Sequence, residues 1–166
     1  MTKKLFVFAG LLVLAASVAV AHPHFRKTVT VKMGEQDVSV QFFTVPANMS
    51  HLDGVGDGEF VSPGQPTLKV AADLKGGSAS IPAGEYLVGA IKKGEGWTMV
   101  LYPGKVARGD KPDLSKVIKL DSQFNTSAEP VAHLVVDIGP GSGTSEGKAV
   151  VLIGFGTLWL DGVIGD

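Results

Sequence analysis

Three histidines carry the clearest chemistry in this chain: His22 and His24, in the run His22-Pro23-His24-Phe25, and His51 in a glycine-rich stretch. The residues before His22 decide what it can do. Lys3 and Lys4 open the chain, an apolar run from Leu5 to Val20 follows, and Ala19-Val20-Ala21 offers the small residues that a signal peptidase reads at −3 and −1. The run is about sixteen residues, shorter than the roughly 20 that span a bilayer. It ends in a cleavage motif rather than in basic stop-transfer residues, so residues 1–21 read as a cleavable leader. Cleavage after Ala21 frees the α-amine of His22, and that amine and the imidazole can chelate one metal ion together. A further imidazole then completes a T-shaped, three-nitrogen site. The amine has a pKa of about 8, so giving up its proton to a metal costs little at neutral pH. Such nitrogen sites favour Cu(II). The expected ligands are His22 with His51 or His24.

The rival copper motif, in which the third residue is His, needs a deprotonated amide at the second residue. Pro23 has none. The remaining histidine, His133, alternates with Val131 and Val135 and reads as a buried, hydrogen-bonded strand residue. The other chemistry is weaker. Asp53, Asp57 and Glu59 lie close together but supply only part of a calcium loop, and they read as a solvated acidic loop. The run from Gly139 to Lys148 has Ser142 where a phosphate loop needs glycine and Ala149 where it needs Ser or Thr; it reads as a hairpin loop. No Gly-x-Ser-x-Gly elbow is present, so no catalytic residue is assigned. Trp97, Tyr102 and Trp159 can stack on a sugar but read as half-buried strand aromatics. The sequons at Asn48 and Asn125 read as ordinary loop residues.

The elements that must position these groups are strands. Residues 22–166 suffice for one domain. The chain has no cysteine, which leaves an exported protein without disulfides or thiolate chemistry. Losing Lys3 and Lys4 with the leader takes the 15 basic residues to 13 against 16 acidic ones, a net charge of −3. That weak, mixed charge argues against nucleic acid or an anionic membrane as partner. No stretch keeps a helical apolar period, and 22 Gly and 9 Pro punctuate the chain. Strands are expected at Thr28–Met33, Val38–Val45, Thr67–Ala72, Tyr86–Ile91, Trp97–Tyr102, Lys116–Leu120, Val131–Ile138 and Lys148–Gly156, with Thr157–Leu160 extending the last past a glycine bend. The expected fold is all-β: an antiparallel β-sandwich of about eight or nine short strands, with a small barrel as the alternative. The irregular Pro46–Pro66 stretch is the place to look for function.

The segments Ile81-Pro82-Ala83-Gly84-Glu85-Tyr86 and Gly96-Trp97-Thr98-Met99-Val100-Leu101-Tyr102, with Glu129-Pro130-Val131 later on, resemble a bacterial family of exported proteins known only as a domain of unknown function. The resemblance spans roughly residues 28–155. It implies an exported β-sandwich and supplies no activity. The family's basic, Trp- and Arg-containing first-half segment is replaced here by Met49-Ser50-His51-Leu52-Asp53-Gly54. The His22 terminus is similar to that of exported copper proteins with a histidine brace. Together these readings point to a non-catalytic, periplasmic or secreted binding protein holding copper or a similar ion. A metal-free glycan- or protein-binding module using the Pro46–Pro66 loop is the second reading, and a copper-dependent polysaccharide oxidase the third.

Overall fold

The structure, a computed structural model, describes residues 25–107 and 110–165. The expected leader, His22 and His24 lie outside the described residues. Eleven strands follow among those described: β1 (Arg26–Met33), β2 (Gln36–Phe43), β3 (Phe60–Val61), β4 (Thr67–Val70), β5 (Leu74–Gly76), β6 (Ala79–Ile81), β7 (Gly84–Lys93), β8 (Gly96–Pro103), β9 (Ile118–Lys119), β10 (Asp121–Pro140) and β11 (Ala149–Ile164). Every strand pair is antiparallel. The main sheet runs β1-β2-β4-β7-β8-β9, with β3 also on β7, and β10–β11 and β5–β6 form separate pairs. The sheets do not close into a barrel, so the fold is the sandwich and not its alternative.

The expected eight or nine short strands needed correction at both ends of the length scale. Strands β3, β5 and β6 have two or three residues, too few to show a period of 2. Strands β10 and β11, with 20 and 16 residues, are interrupted by Pro130 and by glycines, so each read as fragments. The extension of β11 past a glycine bend is present, with Gly156 at φ +60°.

Three hairpins share one turn chemistry. Gly34-Glu35, Gly77-Ser78 and Gly94-Glu95 link the paired ends Met33–Gln36, Gly76–Ala79 and Lys93–Gly96. The glycine in each has φ near +60° and the residue after it does not, the arrangement of a two-residue turn led by glycine. Register then follows. Val38, Val40 and Phe42 on β2, Leu68 and Val70 on β4, Tyr86 and Val88 on β7, and Met99 and Leu101 on β8 point to one face.

That face is covered by β10–β11, through Leu134, Val136 and Ile138 on one strand and Val151, Ile153 and Phe155 on the other. The β5–β6 hairpin adds Leu74 and Ile81 and sits beside the end of β11, where the Gly165 N–H donates to the Lys75 carbonyl at 2.6 Å. The chain passes from β9 into β10 at a corner. There the Leu120 N–H donates to the Met99 carbonyl at 3.0 Å, and the Met99 N–H donates to Ser122 Oγ at 2.9 Å.

Strand β10 does not stay in register with β11. It advances from Thr126 to Val135 while β11 steps back only from Leu158 to Gly154. The extra residues bulge away at Pro130, which cannot donate to a ladder. The bulge finds a partner in the segment after β2: the Leu134 N–H donates to the Val45 carbonyl at 2.8 Å and the Ala47 N–H to the Ala132 carbonyl at 3.0 Å. Among the described residues, no helix is long and apolar enough to cross a membrane.

Candidate functional site

His51 closes a short 3₁₀ turn, Met49–His51. Asn48 starts the turn: its Oδ1 accepts from the Ser50 N–H at 3.1 Å and from Ser50 Oγ at 2.8 Å. The side chain of Met49 lies against Gly156, where any Cβ would collide with its sulfur. The turn is thereby docked on the bend of β11, and His51 is left exposed at the mouth of a hollow shared with Pro46, Asn48 and Phe155. The loop around it is tied to β7 and the β7–β8 turn by polar groups. Lys92 Nζ donates to the Val55 carbonyl at 2.8 Å, Ser62 Oγ to the Val88 carbonyl at 2.6 Å, and the Gly94 N–H to Asp57 Oδ1 at 2.8 Å. Glu59 folds back onto the Gly56 N–H at 2.9 Å. Of the three loop acids, Glu59 therefore serves the loop's own amide and Asp57 pins the loop to the β7–β8 turn.

His133 departs from its expected place. It shares the face of Val131 and Val135, but that face is the outer one: His133 is exposed, while Leu134, Val136 and Ile138 point into the core. The alternation is right and the direction is wrong, because the bulge hands this part of β10 from β11 to Val45–Ala47. Pro46 is its bridge partner. His133 lines a hollow of about 540 Å³ together with Phe25, Thr44 and Val135. Phe25 is fixed there from both sides: its N–H donates to Thr44 Oγ1 at 3.0 Å and its carbonyl accepts the Thr44 N–H at 2.9 Å. The signal for this arrangement was Pro130 inside a strand-like run, which marks a bulge before it marks a core strand.

The structure thus places His51 and His133 on neighbouring hollows, either side of the 44–47 segment. Among the described residues, no group of three or more His, Asp or Glu side chains is gathered for a metal. A second kind of site lies under the Pro46–Pro66 loop. It is an apolar cleft of about 50 Å³ lined by Leu52, Val61, Trp97, Phe124, Phe155 and Leu158. Trp97, Tyr102 and Trp159 are half-buried, as expected. Asn125, read as a loop residue, sits in β10 opposite Trp159. The run after Pro140 is a hairpin connection holding one 3₁₀ turn, Gly143–Ser145, with no helix behind it to face a phosphate.

The resemblance motif has a visible mechanical reason. Tyr86 is buried, and its hydroxyl donates to the Pro82 carbonyl at 2.6 Å, closing the Pro82–Tyr86 turn on itself. Burial raises the Tyr86 phenol above its ordinary value, with Asp73 adding to the effect. Asp73 in turn accepts the Ala83 N–H at 2.8 Å. Comparison with protein-family models, with curated proteins and with solved structures finds no match to the chain.

Proposed function

We propose that the protein is an exported, non-catalytic binding protein of the bacterial cell envelope that holds copper or a similar ion at a mature N-terminal His22. The supporting observation is the anchoring of Phe25 beside Thr44 in the hollow that His133 lines. His24 is one residue from that anchor and His22 three, so covalent geometry keeps the His22 Cα within about 11 Å of the Phe25 Cα. The amine and imidazole of His22 supply two nitrogens. The third comes from His133, which joins His51 and His24 as the further imidazole and is favoured over them because it shares the hollow with Phe25. The test is native mass spectrometry of the secreted protein with one equivalent of Cu(II). A chain beginning at His22 and retaining one copper is expected. His22→Ala should abolish tight binding with the fold intact, and His133→Ala should weaken it more than His51→Ala. Undiminished affinity in His22→Ala rules out the site.

A metal-free binding module is the second reading, favoured by the ordered Pro46–Pro66 loop and the apolar cleft beneath it. At about 50 Å³ the cleft is far below the size of a small-molecule site and admits only the end of an aliphatic chain. Hexanol titrated into metal-free protein should then give a saturable change in tryptophan emission that Leu158→Trp removes. A featureless titration excludes the cleft as the binding site of such a module.

A further inference from the structure

The bend of the β10–β11 hairpin builds a polar hollow that neither His51 nor His133 lines. Gln123 on β10 stands opposite Asp161 on β11. Directly opposed residues on antiparallel strands share a face, with Cβ atoms about 5 Å apart, so the amide and the carboxylate project together. Past Gly156 the ribbon folds over itself. Trp159, on the face of Asp161, lies across Gly154, where a Cβ would stand 2.7 Å from the indole. The tip of the hairpin comes back over the Gln123–Asp161 pair. Together they enclose about 510 Å³, lined also by Ser142, Thr144, Val150 and Val163. Gly141 permits this fold of the tip, since a Cβ there would collide with the Ser145 carbonyl.

Asp161 is half-buried, and among the described residues its carboxylate has neither a hydrogen bond nor an ion pair. Burial holds its carboxyl above the ordinary carboxylate value. A partly desolvated acceptor without a partner gains from any ligand that brings hydroxyl donors. The hollow offers that acceptor, an amide that both donates and accepts, the three hydroxyls of Ser142, Thr144 and Ser145, and the apolar sides of two valines. No second carboxylate and no aromatic cage lines it to favour a cationic ligand. An anion would meet the Asp161 charge.

We propose that the Gln123–Asp161 hollow binds a neutral saccharide, with adjacent sugar hydroxyls on Asp161 and Gln123 and the C–H face of the ring against Val150 and Val163. The volume falls within the 300–1,000 Å³ range of small-molecule sites. The site is independent of the proposed N-terminal metal. The test follows amide resonances of metal-free protein during titration with glucose, cellobiose and maltose. Saturable shifts at Gln123, Thr144 and Asp161 are expected with at least one of them. Asp161→Asn and Gln123→Ala should each weaken that binding about tenfold, the share of a hydrogen bond to a charged or amide partner. Asp161→Asn preserves shape, so its loss of binding is not a loss of fold, and His22→Ala should leave the titration unchanged. The proposal is overturned by unshifted spectra with all three sugars, by shifts confined to other residues, or by undiminished binding in both variants. Methylamine shifting these residues in place of the sugars also overturns it.

Discussion

The main sheet and the β10–β11 hairpin solve the same problem in opposite ways. In the sheet, glycine-led two-residue turns set the register, and strict alternation then buries one face. In the hairpin the register breaks, Gly156 bends β11, and β10 leaves one neighbour for another at Pro130. The sheet carries its share of the core and has one hollow of its own, about 550 Å³, where Phe60, Val61 and Leu87 meet Val106, Pro112 and Leu114. The described hollows that hold His133, His51, Asp161 and the apolar cleft all include residues of β10 or β11. Register regularity makes a scaffold, and its controlled loss shapes the hollows that hold His133, His51 and Asp161.

The most severe way to break this contrast is at Gly156. A valine there must adopt φ +60° and displace Met49, which docks the His51 turn. Left-handed backbone and overpacking together should cost about 3 kcal/mol, measured as a lowered urea midpoint. The comparison also requires that the loss be local in shape: exchange protection should drop around Met49–Leu52 before it drops in β2 and β7. Uniform loss of protection would mean that the bend is part of the scaffold after all.

In the sheet, Tyr86→Phe sharpens the same contrast from the other side. The variant loses one hydrogen bond, to the Pro82 carbonyl, and keeps the buried ring. It should lose about 1 kcal/mol without altering any hollow in the hairpin. A changed tryptophan emission would contradict that separation, because Trp97 and Trp159 line or flank the bent region.

The same division explains what the residues disclosed before the structure. The alternation of Val38, Val40 and Phe42, and the glycines of the turns, act through nearest neighbours, so the sheet was legible. Strand β10 was not, because its partner changes along its length and the partner's identity is a long-range fact. His133 shows the cost: a period of 2 names the face that a side chain shares, and only the neighbouring strand says whether that face is inside. Asp161 gave no signal either. Its carboxylate is unusual through the folding-back of residues 140–145, far away along the chain. His51 was visible as a loop histidine, but the Asn48 cap and the Met49 dock that hold it needed Gly156 in view.

The smallest effect tests the polar half of the contrast by pH. Burial raises the Asp161 pKa in the folded state above its ordinary value of 3.8. Below that ordinary value both folded and unfolded chains are protonated at Asp161, and the residue costs nothing. As pH rises through the window up to the raised folded value, the folded chain holds the proton more tightly. Stability therefore falls with pH across that window, and the deficit persists above it. Asp161→Asn has no such proton to lose, so the variant should match the parent in acid and exceed it at neutral pH. The side chain is only half-buried, so solvent screening keeps the gain to about a few tenths of a kcal/mol, read from paired urea titrations in acid and at neutrality. A gain of equal size at both pH values would trace to packing or hydrogen bonding instead. It would make the hollow at Gln123 and Asp161 an ordinary wet surface and return that stretch of β11 to the scaffold.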